Sequence, residues 1–348
     1  MPVWLDNGPL GCRLFVTDQK MRTEEPPRFP HEDRNYIEIG LLNNMSDSAL
    51  EQTERQILKL LHAASDGLNI RLRLYALPTM PREDSGERHL SRLQYRNTEE
   101  LWNSTLDGLI ITGAEPRTAD LKQEPYWGQL TEAFAWANEN TISTIASCLA
   151  VHAAVQHFDG IDRRSLDEKC FGIFDFAKVS SNPLLNGIPQ RLRMPHSRWN
   201  GIEENALLSC GYEILANSND YGVDMFVKSK RSMFVFFQGH PEYEAWTLLG
   251  EFRRDIARFL CGELNAYPAM PVGYFGDESA NALNAFRERA ISNPRKELMA
   301  AFPIERLTGK LSDPWHYNAV QIYSNWLQWM AVRKAQASQG RYRAGING

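Results

Sequence analysis

Short apolar runs alternate with amphipathic segments from residue 36 onward, and this alternation constrains the fold more than any other feature of the sequence. Strands are predicted for the apolar runs at 36–45, 70–77, 106–114, 141–148 and 232–240. Helices are predicted for amphipathic segments that begin at Ser48 and that span 125–140, 149–158, 244–262 and 318–335. Because strands that alternate with helices usually form a parallel sheet, the sequence predicts an α/β fold with a mostly parallel sheet flanked by helices.

Two helix ends carry specific signals. Ser48 and Glu51 match the S-x-x-E capping box, whose side chains satisfy free backbone N–H groups at the start of a helix. Gly262 follows an amphipathic segment and is predicted to be the residue just beyond the end of that helix.

The same pattern divides the chain into four parts. Residues 1–35 are rich in proline and charge, which predicts an N-terminal arm, extended or poorly ordered, with the fold beginning after it. Residues 36–265 hold the α/β pattern. Residues 266–335 predict a C-terminal elaboration and a helix packed on the same domain, and residues 336–348 predict a tail.

Composition excludes several classes of protein. The net charge of −5 and the scattered Lys and Arg residues provide no basic surface for nucleic acid. No run approaches the roughly 18 apolar residues of a membrane-spanning helix, and the start of the chain has no export signal, so a cytoplasmic protein is expected. The five cysteines are an odd number without a C-x-x-C pair, which predicts neither a disulfide framework nor a zinc site. We expect no metal and no bound cofactor.

Cys148 lies where a predicted apolar strand passes directly into a predicted helix. This arrangement is that of a nucleophile elbow, which exposes a side chain at the carboxyl edge of the sheet. The positive end of the helix dipole favours a thiolate there and offers backbone N–H groups to a developing oxyanion. A buried structural thiol is the alternative, and for a cysteine considered alone it is the commoner one.

The segment GHPE, residues 239–242, also follows an apolar strand. A histidine at that edge can take a proton from an attacking group, and Glu242 can orient the His240 imidazole and stabilise its charged form. A loop histidine before a helix that starts with Pro-Glu is an equally good structural interpretation. Because the carboxyl ends of parallel strands share one edge, Cys148, His240 and Glu242 together suggest a nucleophilic triad.

Longer segments around these residues resemble the homoserine O-acyltransferase family, of the homoserine O-succinyltransferase type. That family is built on the class I glutamine-amidotransferase-like fold, a flavodoxin-like arrangement of three layers. The matching segments run in order over 36–333 and include LLNNM, LDGLIITGAEP, EPYWGQL, SCLAVHAA, DEKCFGIFDF, PHSRW and SNWLQWM. The longest and most specific of them is GHPEYEAWTLLGEFRRD.

The resemblance implies roles for residues at the family's functional positions. Cys148 would carry the acyl group, His240 would be the general base, and Glu242 would be the third member of the triad. The family's substrate-contacting positions fall on Lys169, Ser197 and Arg254. A guanidinium offers a planar pair of donors to the carboxylate of an amino-acid acceptor, although a solvated helix face is the simpler interpretation of Arg254 alone.

The implied reaction is a ping-pong transfer, in methionine biosynthesis, of an acyl group from an acyl-CoA co-substrate to the hydroxyl of L-homoserine. Geometry predicts the oxyanion donors: the backbone N–H groups of Leu149 and of the Gly113-Ala114 turn, both at strand ends. The partners are therefore expected to be small molecules.

Several positions depart from the family's pattern. Arg117 occupies a position linked to acyl-group choice, where the family carries Gly or Glu, so the acyl group can be succinyl or acetyl. Arg117 either pairs with the free carboxylate of a succinyl group or lies on the surface. Leu149 and His152 replace the usual Trp and Gln near the nucleophile, and His152 either lines the pocket or lies elsewhere in the core or on the surface. The loop MSDSALEQ and an insertion near 275–312 leave serine or another hydroxy amino acid open as the acceptor.

Other functions also remain open. A glutamine-hydrolysing amidotransferase or related thiol hydrolase uses the same elbow and His-Pro-Glu, but Ala146 and Ala150 replace the glycines of its usual G-x-C-x-G. A binding protein that keeps only the fold is a third class. The oligomeric state is open because Tyr323, Trp326 and Trp329 either pack in the core or cover the face of a possible homodimer.

Overall fold

A computed structural model of the protein describes residues 3–6, 13–16, 21–24 and 36–346. The strands within these residues are β1 (Val3–Leu5), β2 (Arg13–Val16), β3 (Met21–Glu24), β4 (Tyr36–Leu42), β5 (Asn69–Tyr75), β6 (Gly108–Ile111), β7 (Ser143–Ser147), β8 (Arg164–Lys178), β9 (Arg191–Gly201), β10 (Glu213–Ser218), β11 (Gly222–Ser229) and β12 (Met233–Phe237). The α-helices are α1 (Leu50–Ala64), α2 (Asp84–Arg92), α3 (Thr98–Trp102), α4 (Trp127–Asn140), α5 (Leu149–Asp159), α6 (Glu204–Ser209), α7 (Thr247–Leu260), α8 (Asp277–Ser292) and α9 (His316–Ile346).

Ten of these strands form one sheet in the order β1-β5-β4-β6-β7-β12-β11-β10-β8-β9. Neighbouring strands run parallel from β1 through β12. They run antiparallel from β12 through β9. β2 and β3 pair with each other as a separate antiparallel ribbon. The sheet is therefore parallel in its first half and antiparallel in its second.

The parallel strands are buried on both faces, which explains why their sequences are apolar throughout. Ile39 and Leu41 of β4 pack on one face with side chains of α1 and α9. Leu109 and Ile111 of β6 pack on the other face with side chains of α4 and α5. These two apolar layers confirm the predicted α/β class, in which helices flank a mostly parallel sheet. The five predicted strands correspond to β4, β5, β6, β7 and β12.

The sequence did not predict the antiparallel strands β8, β9, β10 and β11. Antiparallel strands tolerate one solvated face, and exposed positions break the apolar pattern in β8 and β9, whereas in β11 the buried Asp224 interrupts it. In β8 the segment from Arg164 to Glu168 is largely exposed, and the strand becomes buried only from Cys170. A Pro lies within β9, which is an edge strand of the sheet, where a missing N–H group is tolerated.

The sheet begins earlier than the sequence indicated. Val3–Leu5 pairs in parallel with residues 70–72 of β5, so this piece of the predicted N-terminal arm is part of the sheet. Val3 and Leu5 are buried in the same apolar layer as Ile39. Most of the remainder of 1–35, and the end of the predicted tail, lie outside the described residues, and the boundaries at 35, 265 and 335 remain predictions.

The two predicted helix-end signals have different outcomes. The capping box is wrong: α1 begins at Leu50 after Ala49, and no side chain caps it. The carbonyl oxygen of Ser46 instead accepts from the N–H groups of Ala49 and Leu50 at 2.8 and 3.1 Å, so a backbone turn opens the helix. Gly262 is confirmed as the residue beyond the end of α7, with a φ of +78°.

The C-terminal elaboration packs against α7. Leu283 and Phe286 of α8 share an apolar cluster with Leu248 and Phe252 of α7. In α9, Tyr323 and Trp326 are each 1% exposed and lie in the core, whereas Trp329 is half-buried. Core packing therefore explains the first two aromatic residues without a second subunit. Among the residues described, no helix combines the length and the apolar character that spanning a bilayer requires.

Candidate active site

Cys148 forms the whole turn between β7, which ends at Ser147, and α5, which begins at Leu149. Its φ of 54° and ψ of −119° lie in a region that residues with a side chain rarely adopt. The turn is held on both sides, because the Cys148 N–H donates to the carbonyl of Phe237 at 2.9 Å and its carbonyl accepts from Val151 at 3.0 Å. The half-buried thiol thus stands at the carboxyl edge of the sheet, at the start of a helix.

His240 faces this thiol from the neighbouring strand end, since β12 lies beside β7 in the sheet. Its Nδ1 lies 2.8 Å from Oε1 of Glu242. Burial lowers the pKa of His240, but the charges of Glu242 and Cys148 and the hydrogen bond with Glu242 outweigh it. The pKa of His240 is therefore well above its ordinary value, and the imidazolium form is favoured.

Two further contacts fix the orientation of His240. Its backbone N–H donates to the carbonyl of Pro195 in β9 at 2.9 Å. Its ring stacks on Tyr243, with the centroids 4.1 Å apart and the planes 15° from parallel. The Tyr243 hydroxyl donates in turn to Glu251 of α7, so a second carboxylate stands behind the ring stack.

The candidate substrate residues gather on one acidic face of α7. Ser197 Oγ donates to Oε2 of Glu251 at 2.5 Å. One turn further, Asp255 lies between Lys169 Nζ at 3.2 Å and the guanidinium of Arg254 at 2.8 Å. The structure therefore brings the three predicted substrate residues to α7, with Ser197 on the carboxylate that Tyr243 also contacts and with Lys169 and Arg254 one helical turn further.

The charges on this face differ in accessibility. The side chain of Arg254 is 51% exposed, whereas those of Lys169 and Asp255 are 14% and 11% exposed. Burial lowers the pKa of Arg254, and Asp255 and Glu251 more than restore it, so the net shift is upward. The guanidinium of Arg254 is therefore a fixed positive charge with one side exposed to solvent, and a substrate carboxylate can reach it from that side.

The predicted oxyanion donors lie close to one another. A Cβ atom placed on Gly113 would stand 2.7 Å from the backbone nitrogen of Leu149 and 3.2 Å from Cβ of Cys148. The Gly113-Ala114 turn therefore packs directly against the elbow, and only a residue without a side chain fits at 113. The first N–H groups of a helix have no partner within the helix, which leaves that of Leu149 free to donate to a bound oxygen.

Arg117 and His152 occupy different surroundings. The backbone N–H of Arg117 donates to Oε1 of buried Glu124 at 2.6 Å, while its side chain is exposed and forms no ion pair within the described part of the chain. Its role in acyl-group choice stays a prediction. His152 is buried one turn along α5 from Cys148, and its Nδ1 has no partner among the residues described. Burial, with Arg198 and Arg163 nearby, lowers the pKa of His152 to about 3.

Four residues of this site escaped the sequence analysis: Tyr243, Glu251, Asp255 and, in β11, Asp224. Glu251 and Asp255 are four apart in the GEFRRD segment, so they share a helix face, and this spacing was the available signal. Asp224 interrupts an apolar run in GVDMFV, which is also informative, because a charged residue inside a buried strand needs a partner. Across the described ranges, no cluster of three or more His, Cys, Asp or Glu residues has the arrangement of a metal site.

Comparisons with known proteins agree with the resemblance seen in the sequence. A family model described as homoserine O-succinyltransferase matches residues 12–337. The chain is 45% identical to a homoserine O-succinyltransferase from Rhodopseudomonas palustris, over 84% of this chain and 87% of the relative. It is 43% identical to one from Bradyrhizobium japonicum, over 91% and 98% of the two chains.

Among solved structures, the chain is similar to a glutamine amidotransferase from Methylobacillus flagellatus, with 13% identity, a TM-score of 0.48, and coverage of 84% of this chain and 94% of that one. A glutamine amidotransferase from Thermotoga maritima gives 14% identity, a TM-score of 0.43, and coverage of 85% and 98%. The family model and the curated relatives cover nearly all of the chain. It therefore belongs to the homoserine O-succinyltransferase family.

Proposed function

We propose that the protein transfers a succinyl group from succinyl-CoA to the hydroxyl of L-homoserine through an acyl-enzyme on Cys148, as a cytoplasmic step of methionine biosynthesis. The observation that carries this proposal is the placement of Cys148 and His240 at the ends of adjacent strands, with the imidazole held by Glu242 and electrostatically coupled to Cys148. A thiol, a base and an orienting carboxylate in that order are the components of nucleophilic catalysis.

In the first half-reaction, the Cys148 sulfur attacks the carbonyl carbon of the thioester. The carbonyl oxygen becomes an oxyanion, which the N–H groups of Leu149 and the Gly113-Ala114 turn are placed to bind. The C–S bond to CoA then breaks, and the CoA thiolate leaves with the proton that His240 held. The product is a thioester between the succinyl group and Cys148, together with free CoA.

In the second half-reaction, His240 takes the proton of the acceptor hydroxyl as that oxygen attacks the acyl-cysteine. The bond to sulfur breaks, Cys148 returns to its thiolate form, and the succinyl ester is released. Glu242 holds Nδ1 of the imidazole in both steps and favours its charged form, so that Nε2 faces the reacting atoms.

The acceptor is proposed to bind along the acidic face of α7. Arg254, which is half exposed, would receive the carboxylate of the amino acid, and Lys169 and Ser197 would hold polar groups beside it. This face begins at Glu251, which bonds the Tyr243 that stacks on His240, so an acceptor held at Arg254 would direct its hydroxyl toward His240.

Intact-protein mass spectrometry after incubation with succinyl-CoA alone tests the mechanism. We expect an adduct of one succinyl group that disappears when homoserine is added, and its absence in Cys148→Ala. Cys261→Ala is the matched control, because Cys261 is an exposed cysteine at the end of α7 and should leave the adduct unchanged. Transfer by Cys148→Ala at the wild-type rate would refute the acyl-enzyme.

A donor-by-acceptor screen tests the specificity. Succinyl-CoA and acetyl-CoA are each offered with homoserine and with serine, and product is measured by chromatography. We expect the highest kcat/KM for succinyl-CoA with homoserine. Preference for acetyl-CoA or for serine would leave the acyl-cysteine mechanism in place but would correct the substrate.

A further inference from the structure

A second histidine and a second carboxylate lie directly beneath the loop that carries His240. His196 of β9 and Asp224 of β11 are both fully buried, and Nε2 of the one lies 3.2 Å from Oδ1 of the other. The same Oδ1 accepts from the backbone N–H of Gly239 at 3.0 Å. The buried pair is therefore joined to the residue that immediately precedes the proposed general base.

The charge state of this pair follows from its partners. Nε of Arg198 donates to Nδ1 of His196 at 3.2 Å, and since a guanidinium cannot accept, Nδ1 must be the unprotonated nitrogen. His196 is therefore neutral and carries its hydrogen on Nε2, which lies 3.2 Å from Oδ1 of Asp224 but is not aligned for a hydrogen bond with it. Burial also lowers the pKa of His196, to about 4, which agrees with this tautomer.

Arg198 is itself held in place. Its two terminal nitrogens donate to the carbonyls of Asn200 and Tyr221 at 2.7 and 2.6 Å. All three nitrogens of its guanidinium thus donate to fixed acceptors within the fold, and the side chain is buried, so its role is structural. Buried Arg198, His196 and Asp224 therefore lie next to one another in that order, and Asp224 is hydrogen-bonded to the backbone of residue 239.

The buried side chains of Asp224 and His196 pack tightly against Gly239 in the loop that carries His240. A Cβ atom on Gly239 would stand 2.8 Å from Oδ1 of Asp224, 2.8 Å from Nε2 of His196 and 2.5 Å from the side chain of Met194. A movement of the pair toward the loop would therefore be transmitted directly to His240. Oδ2 of Asp224 has no hydrogen-bond partner among the described residues, so its negative charge is only partly compensated.

We propose that Asp224 and His196 are positioning residues for His240, with Asp224 also providing a buried negative charge that favours the imidazolium formed during catalysis. This rests on the proposed role of His240 as the base. Three other charged or titratable groups lie next to His240: Cys148 at the elbow, and Glu242 and Tyr243 in its own loop. Two more lie one contact further away: Glu251 of α7 bonds Tyr243, and Tyr323 of α9 lies near Glu242.

The test is an NMR titration of the His240 imidazole in full-length protein labelled with ¹⁵N-histidine, with kcat measured on the same samples. In Asp224→Asn the pKa of His240 should fall by on the order of one pH unit, because a nearby negative charge is removed. The kcat should fall by roughly tenfold to a hundredfold, with little change in KM for homoserine. The alkaline limb of the pH–rate profile for acyl-enzyme formation, where the imidazolium loses the proton that CoA needs, should move with the NMR titration.

Asp175→Asn is the control, since Asp175 is an exposed carboxylate on the adjacent strand β8 whose partner is Arg193 on β9. It should change neither the titration nor kcat. His196→Gln keeps a donor nitrogen near the position of Nε2 and should retain more activity than His196→Phe, which keeps only the size of the ring. This pair provides the test if Asp224→Asn does not fold.

Two results would overturn the inference: a folded Asp224→Asn with unchanged titration and kcat, or equal activities of His196→Gln and His196→Phe. Failure of the proposed function gives a different result. The NMR titration reports the coupling of Asp224 to His240 whether or not transfer occurs, whereas a fully active Cys148→Ala refutes the acyl-enzyme alone.

Discussion

The indole Nε1 of Trp315 donates a hydrogen bond to the backbone carbonyl of Tyr243 at 2.8 Å, and this bond joins the C-terminal elaboration to the loop that carries His240. Trp315 is completely buried, in the cluster that also holds Phe286 of α8 and Phe252 of α7. The elaboration is therefore part of the support for the base.

Trp315→Phe should weaken both stability and catalysis. The change leaves the carbonyl of Tyr243 without its donor, so the free energy of unfolding should fall by about 1–3 kcal/mol in urea denaturation. The kcat should also fall, because Tyr243 stacks on His240. Trp246→Phe, at a side chain that is 41% exposed, should cost much less. Equal losses of unfolding free energy and of kcat in the two variants would show that the hydrogen bond from Trp315 to Tyr243 does not contribute.

Gly113→Ala should reduce kcat by about tenfold or more with little change in KM, because the new methyl group would displace the backbone of the elbow and of the proposed oxyanion donors. Steady-state kinetics measures this. Gly128→Ala in α4 is the matched control: a Cβ atom there meets nothing within 4 Å, and alanine in a helix should stabilise the protein by up to about 1 kcal/mol. Full activity of Gly113→Ala would show that the Gly113-Ala114 turn does not bind the oxyanion.

Arg254→Gln should raise KM for homoserine by about tenfold or more and leave the formation of the acyl-enzyme unchanged. Stopped-flow release of CoA measures the first half-reaction separately. Arg253→Gln is the control, since its guanidinium lies over the ring of Phe302, 5.9 Å from the centroid. A slower first half-reaction in Arg254→Gln would assign Arg254 to the acyl donor instead.

His152 should make the protein sensitive to acid. Its pKa is lowered to about 3, mainly by burial, so below pH 6.5 the unfolded chain binds a proton that the folded chain does not. The free energy of unfolding must then fall as the pH falls from 6.5 toward 3. His152→Gln removes this proton uptake, and its loss of stability between pH 7.5 and pH 5 should be smaller by about 2 kcal/mol. Urea denaturation at the two pH values measures this, and parallel losses in both proteins would contradict it.

The parallel half of the sheet could be predicted because each of its strands is a run of apolar residues, buried on both faces, that ends in a turn. The same regularity located Cys148 and His240, since both follow such runs. The antiparallel half could not be predicted in this way. In β9 the buried residues His196 and Arg198 are polar, and each also needs a partner from a distant segment, Asp224 or the carbonyl of Tyr221, which local sequence does not reveal.

The start of α1 shows the opposite difficulty. Ser48 and Glu51 have the right spacing for a capping box, but local spacing does not reveal which residue opens the helix. A turn from the carbonyl of Ser46 takes that role. The contacts on the acidic face of α7 could not be predicted from local sequence either. Ser197 and Lys169 reach Glu251 and Asp255 from separate strands of the sheet, so only the tertiary structure brings them together.

The backbone conformation of Cys148 has a consequence for heat resistance. A φ of 54° with a ψ of −119° costs a residue with a side chain on the order of 1 kcal/mol or more, and costs glycine very little. A Cys148→Gly protein should therefore melt roughly 1–2 °C above Cys148→Ala while being equally inert. At position 148, thermal stability favours glycine whereas the proposed chemistry needs cysteine, and the protein has cysteine.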